Sequence, residues 1–119
     1  MDYVFEKKWS DTLVMLTEQF GQPVDLQAAL FLIGVQELGQ GFRDYKKDEK
    51  VQLMHVAICT LLQHYDFYEF IGRDDDGWPH FKSTTKLPHL NPADQELMVK
   101  KAIIVYFDPE HDPALPSDN

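Results

Sequence analysis

His55 and Cys59 are the residues of this chain best placed to do chemistry together, because they stand four apart in a stretch, VQLMHVAICTLLQHY, whose apolar spacing is helical. Four residues is about one helical turn, so an imidazole and a thiolate share a face and can share a zinc ion. Glu37, the one charged residue of the preceding helical pattern after its start, lies on the stripe of Leu26, Leu30 and Ile33 and offers a third ligand. Three protein ligands with one open position are what hydrolytic zinc requires, so Glu37, His55 and Cys59 define one reading of the chain, a small metal-dependent hydrolase. Against it, a thiolate beside Val56 and Ile58 is costly without its metal, and no fourth ligand or supporting shell is evident. A buried cysteine next to a hydrogen-bonded histidine is the plainer expectation, with no bound cofactor.

The run Asp74, Asp75, Asp76, Gly77 invites a calcium reading. With Gly77 at the sixth position of an EF-hand loop, however, Gly72 falls at the first and Ser83 at the twelfth, where carboxylates are needed. A solvated acidic turn is expected there instead. Nucleophilic catalysis finds no frame: the sequence has no Gly-rich phosphate loop and no GxSxG elbow, and Ser10, Ser83 and Ser117 fall where caps, loop and tail are expected. His55, His64, His80 and His89 with Glu37 or Glu69 are acid-base types, but separation along the chain fixes no distance between them. The balance is against an enzyme.

The elements that must position these groups are four helical patterns and a hairpin. Phe5, Trp9, Leu13, Leu16 and Phe20 recur on one helical face and predict a first helix over Tyr3 to Phe20, closed by Gly21 and Pro23. A second, from about Val24 to Gln40 with Asp25 as cap, holds AALFLIGV, apolar all round and therefore central; Gly34 and Gly39 inside it suggest close approach by a neighbour. A third begins near Asp48 or Glu49 and runs toward Tyr65. The fourth opens on Asn91 as cap and Pro92 at the first position, and its end, IIVYF at Ile103 to Phe107, reads as helix by continuity although β-branched enough for a strand. Between the last two, Phe67 to Ile71 and Trp78 to Lys82 read as short strands joined through GRDDDG, with Pro79 at an edge. The expected fold is mainly α: a four-helix single domain with a β-hairpin inserted between helices three and four.

The hairpin carries the recognition signal. Tyr65, Phe67, Tyr68, Phe70, Trp78 and Phe81 place six of the fifteen aromatics within seventeen residues, beside acidic groups. Strand alternation turns Tyr68, Phe70 and Phe81 inward and leaves Phe67, Ile71 and Trp78 outward, where aromatics edged by charge serve as interface anchors. Phe67, Ile71, Asp74, Asp76, Trp78 and His80 are the candidate binding residues of a protein-interaction or self-association module, whose partner is another protein or a second copy. Three helices followed by a hairpin also resemble the element order of a winged-helix DNA-binding domain, which would imply a regulator. The exposed positions of the third helix, Asp48, Glu49, Gln52 and Gln63 with Lys50, and a wing tip of Arg73 against three aspartates, do not supply the cations such a domain uses.

The charge balance points the same way. A formal net charge of -9 over 119 residues argues against nucleic acid or anionic membrane as partner. The longest apolar run, Ala28 to Val35, is eight residues, too short to span a bilayer, and the N-terminal MDYVFEKKWSD has no apolar signal core. One cysteine excludes an internal disulfide and fits a reducing, cytoplasmic setting. The organisation expected is a helical domain over 1–107 and an acidic, Pro-rich tail over 108–119, where Asp108, Glu110, Asp112 and Asp118 sit among three of the seven prolines. Without those four acids, the net charge of -9 becomes -5. Deleting 108–119 is expected to leave the melting temperature unchanged; a large fall on truncation would show that the tail docks on the domain.

Overall fold

The computed structural model of the chain describes residues 3–108, so the expected tail lies, apart from Asp108, outside the described residues. The element order is α1 (Tyr3–Phe20), α2 (Leu26–Leu38), α3 (Lys47–Gln63), β1 (Tyr68–Arg73), β2 (Pro79–Ser83) and α4 (Pro92–Phe107). The fold is the expected one, four helices with an antiparallel hairpin between the third and the fourth. No helix among the described residues is long and apolar enough to cross a membrane.

Local chemistry sets the boundaries. The Asp25 side chain accepts the Ala28 N–H at 2.8 Å and starts α2. Asn91 does the same for α4 through the Asp94 N–H at 2.8 Å, with Pro92 at the first turn. At the head of α3, Glu49 reaches back to the Lys46 N–H at 2.9 Å. One expectation is corrected here: α2 does not continue through Gly39 to Gln40. Gly39 adopts φ 77°, and its N–H returns to the Val35 carbonyl at 3.1 Å, so it is the helix stop, not an interior residue. Ile103 to Phe107 complete α4 as helix, with Ile103 fully buried.

The helices close around a core whose largest fully buried side chains are Leu16, Ile33, Leu53, Cys59 and Ile103. Phe5, Trp9 and Leu16 of α1 and Val99, Ala102, Ile103 and Ile104 of α4 meet Ala29, Leu30 and Ile33 of α2 there, together with Ala57 and Leu61 of α3. Lys100 and Lys101 lie over the rings of Trp9 and Phe5, at 5.6 and 5.8 Å from their centroids, and cover that seam while keeping their charges in water. A second cluster, Val35, Leu38, Tyr45 and Leu53, fills the other end of the α2 and α3 pair.

Between those clusters α2 and α3 come so close that only glycine fits. A Cβ placed on Gly34 would overlap the Leu53 carbonyl, lying 2.6 Å from its carbon. The obstacle is backbone and cannot rotate away. Gly34→Ala is therefore expected to destabilise the chain by about 3 kcal/mol, although alanine is the better helix former. Chemical denaturation checks this, and a neutral or stabilising result would mean that the two helices separate at little cost.

Candidate functional site

The hairpin lies against α3. Its register pairs Tyr68 with Ser83, Phe70 with Phe81, Gly72 with His80 and Arg73 with Pro79, which leaves Ile71 as the extra residue of a β-bulge. The reversal is a turn in which the Gly77 N–H returns to the Asp74 carbonyl at 3.0 Å and the Asp74 N–H to the Trp78 carbonyl at 3.0 Å. Gly77 takes φ 87°, the left-handed conformation that closes such a loop.

Asp74 organises this tip. Its Oδ1 accepts the N–H groups of Asp76 and Trp78, each at 3.0 Å, and its Oδ2 meets His80 Nε2 at 2.9 Å. These bonds favour the charged carboxylate: His80 first, then the Trp78 N–H, hold the Asp74 carboxyl below its ordinary value. Arg73 then fastens the tip to α2. Its guanidinium donates to the carbonyls of Glu37 at 2.8 Å and Leu38 at 3.2 Å, which are left unpaired at that helix end, and to Gly77 at 2.8 Å. Gln40 adds a bond to the Asp76 carbonyl at 2.9 Å.

Between the hairpin tip and α3 this arrangement leaves a groove of about 700 Å³. Asp74, Asp76, Trp78 and His80 line it from the hairpin, and Glu49, Gln52 and His55 from α3. Four of the six candidate binding residues are thus brought together, and Phe67 and Ile71 are not among the lining. Phe67 lies half-buried beside Tyr65, with centroids 6.0 Å apart, and Ile71 projects from the bulge, 57% exposed. Glu49 and Gln52 were not among the candidates. Their signal was the three-residue step Glu49, Gln52, His55, a polar stripe on one face of an otherwise apolar helix.

Trp78 differs from its expected orientation. It is half-buried and packs on the cluster of Val35, Leu38, Tyr45 and Leu53. Strand alternation does not govern it, because β2 starts one residue later and Trp78 is held by the turn through both its N–H and its carbonyl. Phe70, expected inward, is 44% exposed, edge-on to Phe81 at 5.7 Å between centroids.

The expected metal ligands are divided. His55 Nε2 and Cys59 Sγ lie 3.6 Å apart on α3, with the histidine exposed and the thiol enclosed. Burial pushes the Cys59 thiol up to about 11, so at neutral pH it is a thiol and a poor nucleophile. Glu37 faces a different space, where its Oε2 accepts the Tyr106 hydroxyl at 2.7 Å. Burial, with that carboxylate as neighbour, raises the Tyr106 phenol and keeps it protonated. Among the described residues no three His, Cys, Asp or Glu side chains gather closely enough to hold a metal.

The groove offers carboxylates, imidazoles and an aromatic wall, without a nucleophile placed among them. That combination is suited to non-covalent capture, with the carboxylates and ring faces favouring positive charge. Comparison with protein-family models, with curated proteins and with solved structures finds no match.

The depressed Asp74 carboxyl has a pH consequence with a definite sign. The folded chain holds this proton less readily than the unfolded chain, so the associated stability is present above the ordinary carboxyl value and is lost as pH falls through the lower, folded value. Asp74→Asn, which keeps an oxygen for the two N–H bonds, is expected to flatten the fall in stability below about pH 4. Denaturation at stepped pH measures it; an unchanged slope in the variant would show that other carboxyls carry the acid sensitivity.

Proposed function

We propose that the chain is a protein-interaction module that takes a positively charged segment of a partner into the groove between α3 and the hairpin. The observation that carries this reading is the groove's composition: Glu49, Asp74 and Asp76 border one space with Trp78 and Phe81. Lysine or arginine side chains gain there from carboxylates and from aromatic faces together. The tip is pre-formed by Asp74, Arg73 and Gln40, so binding would not have to order it.

Charge favours a basic partner over a second copy, since a chain of net charge -9 presents mostly the wrong sign to an acidic groove. The same charge speaks against nucleic acid. The hairpin also covers part of α3, the helix that a winged-helix order would offer to a DNA groove. The hydrolase alternative draws less support, because Glu37 is engaged by the Tyr106 hydroxyl, does not gather with His55 and Cys59 among the described residues, and Cys59 is held as a thiol. A reducing, cytoplasmic setting suits the free, buried cysteine.

Calorimetric titration of the protein with a lysine- and arginine-rich peptide, and with its glutamate counterpart, tests the reading. Binding of the basic peptide alone is expected, weakening as salt is raised. Asp76→Asn, which leaves the Asp74 bonds in place, is expected to reduce affinity about fivefold, on the order of 1 kcal/mol. Equal binding of the acidic peptide, or affinity indifferent to both Asp76→Asn and Glu49→Gln, would remove the groove as the site.

A further inference from the structure

The groove between α3 and the hairpin is bordered by carboxylates and imidazoles, with no lysine or arginine among its lining residues. Histidine is the side chain whose ordinary titration changes its charge near neutral pH. His80 is joined directly to one of the groove's carboxylates, its Nε2 lying 2.9 Å from Asp74 Oδ2.

That bond decides which ring nitrogen takes up a proton. The Asp76 and Trp78 N–H groups donate to the other oxygen of Asp74, and His80 with these N–H groups holds the Asp74 carboxyl below its ordinary value. Around neutral pH Asp74 is therefore a carboxylate, which accepts and does not donate. Nε2 must be the donor, so the neutral ring carries its hydrogen there and Nδ1 is the basic nitrogen. A proton gained at Nδ1 adds a positive charge to the groove and breaks no hydrogen bond of the tip.

The charges that face His80 make this proton count. The turn presents Asp74 and Asp76, and α3 presents Glu49 and His55 across the groove. Glu49 already meets Arg43 at 3.5 Å, and the Cys59 thiol beside His55 is uncharged at neutral pH. Two places along β2, Lys82 lies 3.6 Å from Glu69. While His80 is neutral, Asp74 can pair with a cation from outside. Once His80 is charged, Asp74 is paired within the chain, and an incoming lysine or arginine meets a like charge.

We propose that His80 is a proton-operated release switch, through which mild acid expels a basic partner from the groove. The switch rests on the groove taking basic segments, and adds that the imidazolium of His80 competes with the partner's cation for Asp74. The coupling is reciprocal, so a bound partner drives the proton off His80.

The test is calorimetric titration with a lysine- and arginine-rich peptide that has blocked ends and no histidine. It is run at constant ionic strength at about pH 8 and about pH 5.5, a range in which ordinary carboxyl, lysine and arginine groups keep their charge. The quantity read is the ratio of the two affinities within each protein. The wild type is expected to bind about tenfold more weakly at the lower pH, and His80→Gln about threefold or less, the remainder coming from His55 across the groove. Glutamine keeps a donor for Asp74 and cannot take up the proton. His55→Gln, with His80 in place, is expected to keep most of the wild-type ratio. Near pH 6.5 the wild type is also expected to release protons on binding, seen as a heat that depends on the buffer, and His80→Gln to release fewer. Circular dichroism should be the same at both pH values, since Nδ1 protonation leaves the tip bonded. Binding at the higher pH with equal affinity at the lower one overturns the switch and leaves the groove as a basic-segment site. A wild-type ratio retained in His80→Gln, or structure lost at the lower pH, overturns it as well. Failure to bind the peptide at either pH removes the groove reading and the switch together.

Discussion

Helices α2 and α3 meet at Gly34, where the backbone of one lies against the Leu53 carbonyl of the other, and the placement of everything else depends on that approach. A side chain at Gly34 would part the helices there. The cluster of Val35, Leu38, Tyr45 and Leu53 would lose the closeness that lets it bury, and Trp78 would lose the surface it packs on. The hairpin then spans both helices, with Arg73 on the end of α2 and Trp78 on the cluster that α2 and α3 share. The groove is therefore a by-product of a helix crossing that a single missing methyl group permits.

Around that crossing the charged groups mostly serve backbone. Arg73 serves the end of α2, Asp74 the hairpin turn and Glu49 the start of α3. The surface ion pairs, such as Lys7 with Asp11, are exposed and add little to stability. Support at the tip comes instead from hydrogen bonds between charged side chains and peptide groups, which are stronger than neutral ones.

Most of the fold was legible in the sequence because its signals were local. The Phe5, Trp9, Leu16 periodicity, the Asp25 and Asn91 caps and the apolar run through Gly34 each declare an element within a few residues. The site was legible only in part. Asp74, Asp76, Trp78 and His80 are near one another in sequence and meet in the groove. Glu49 and Gln52 reach it from another element, and nothing local announces that α3 turns its polar stripe toward the hairpin. Trp78 was misplaced because counting alternate residues presumes a strand, whereas a turn holds it. Glu37, the lone charge of its helix after the start, suggests a third ligand beside His55 and Cys59; the structure gives it Tyr106 instead, 69 residues further on, which no local signal announces.

Arg73 also makes the hairpin depend on the end of α2. A two-stranded hairpin is at best marginally stable by itself, and this one takes its support from carbonyls that exist as a cluster only after α2 has ended at Gly39. The guanidinium and its acceptors are separated by 35 residues of chain, so this support reaches the hairpin only when that long loop is closed. Loss of the Arg73 contacts would cost the hairpin its support and leave the α2 and α3 packing at Gly34 untouched.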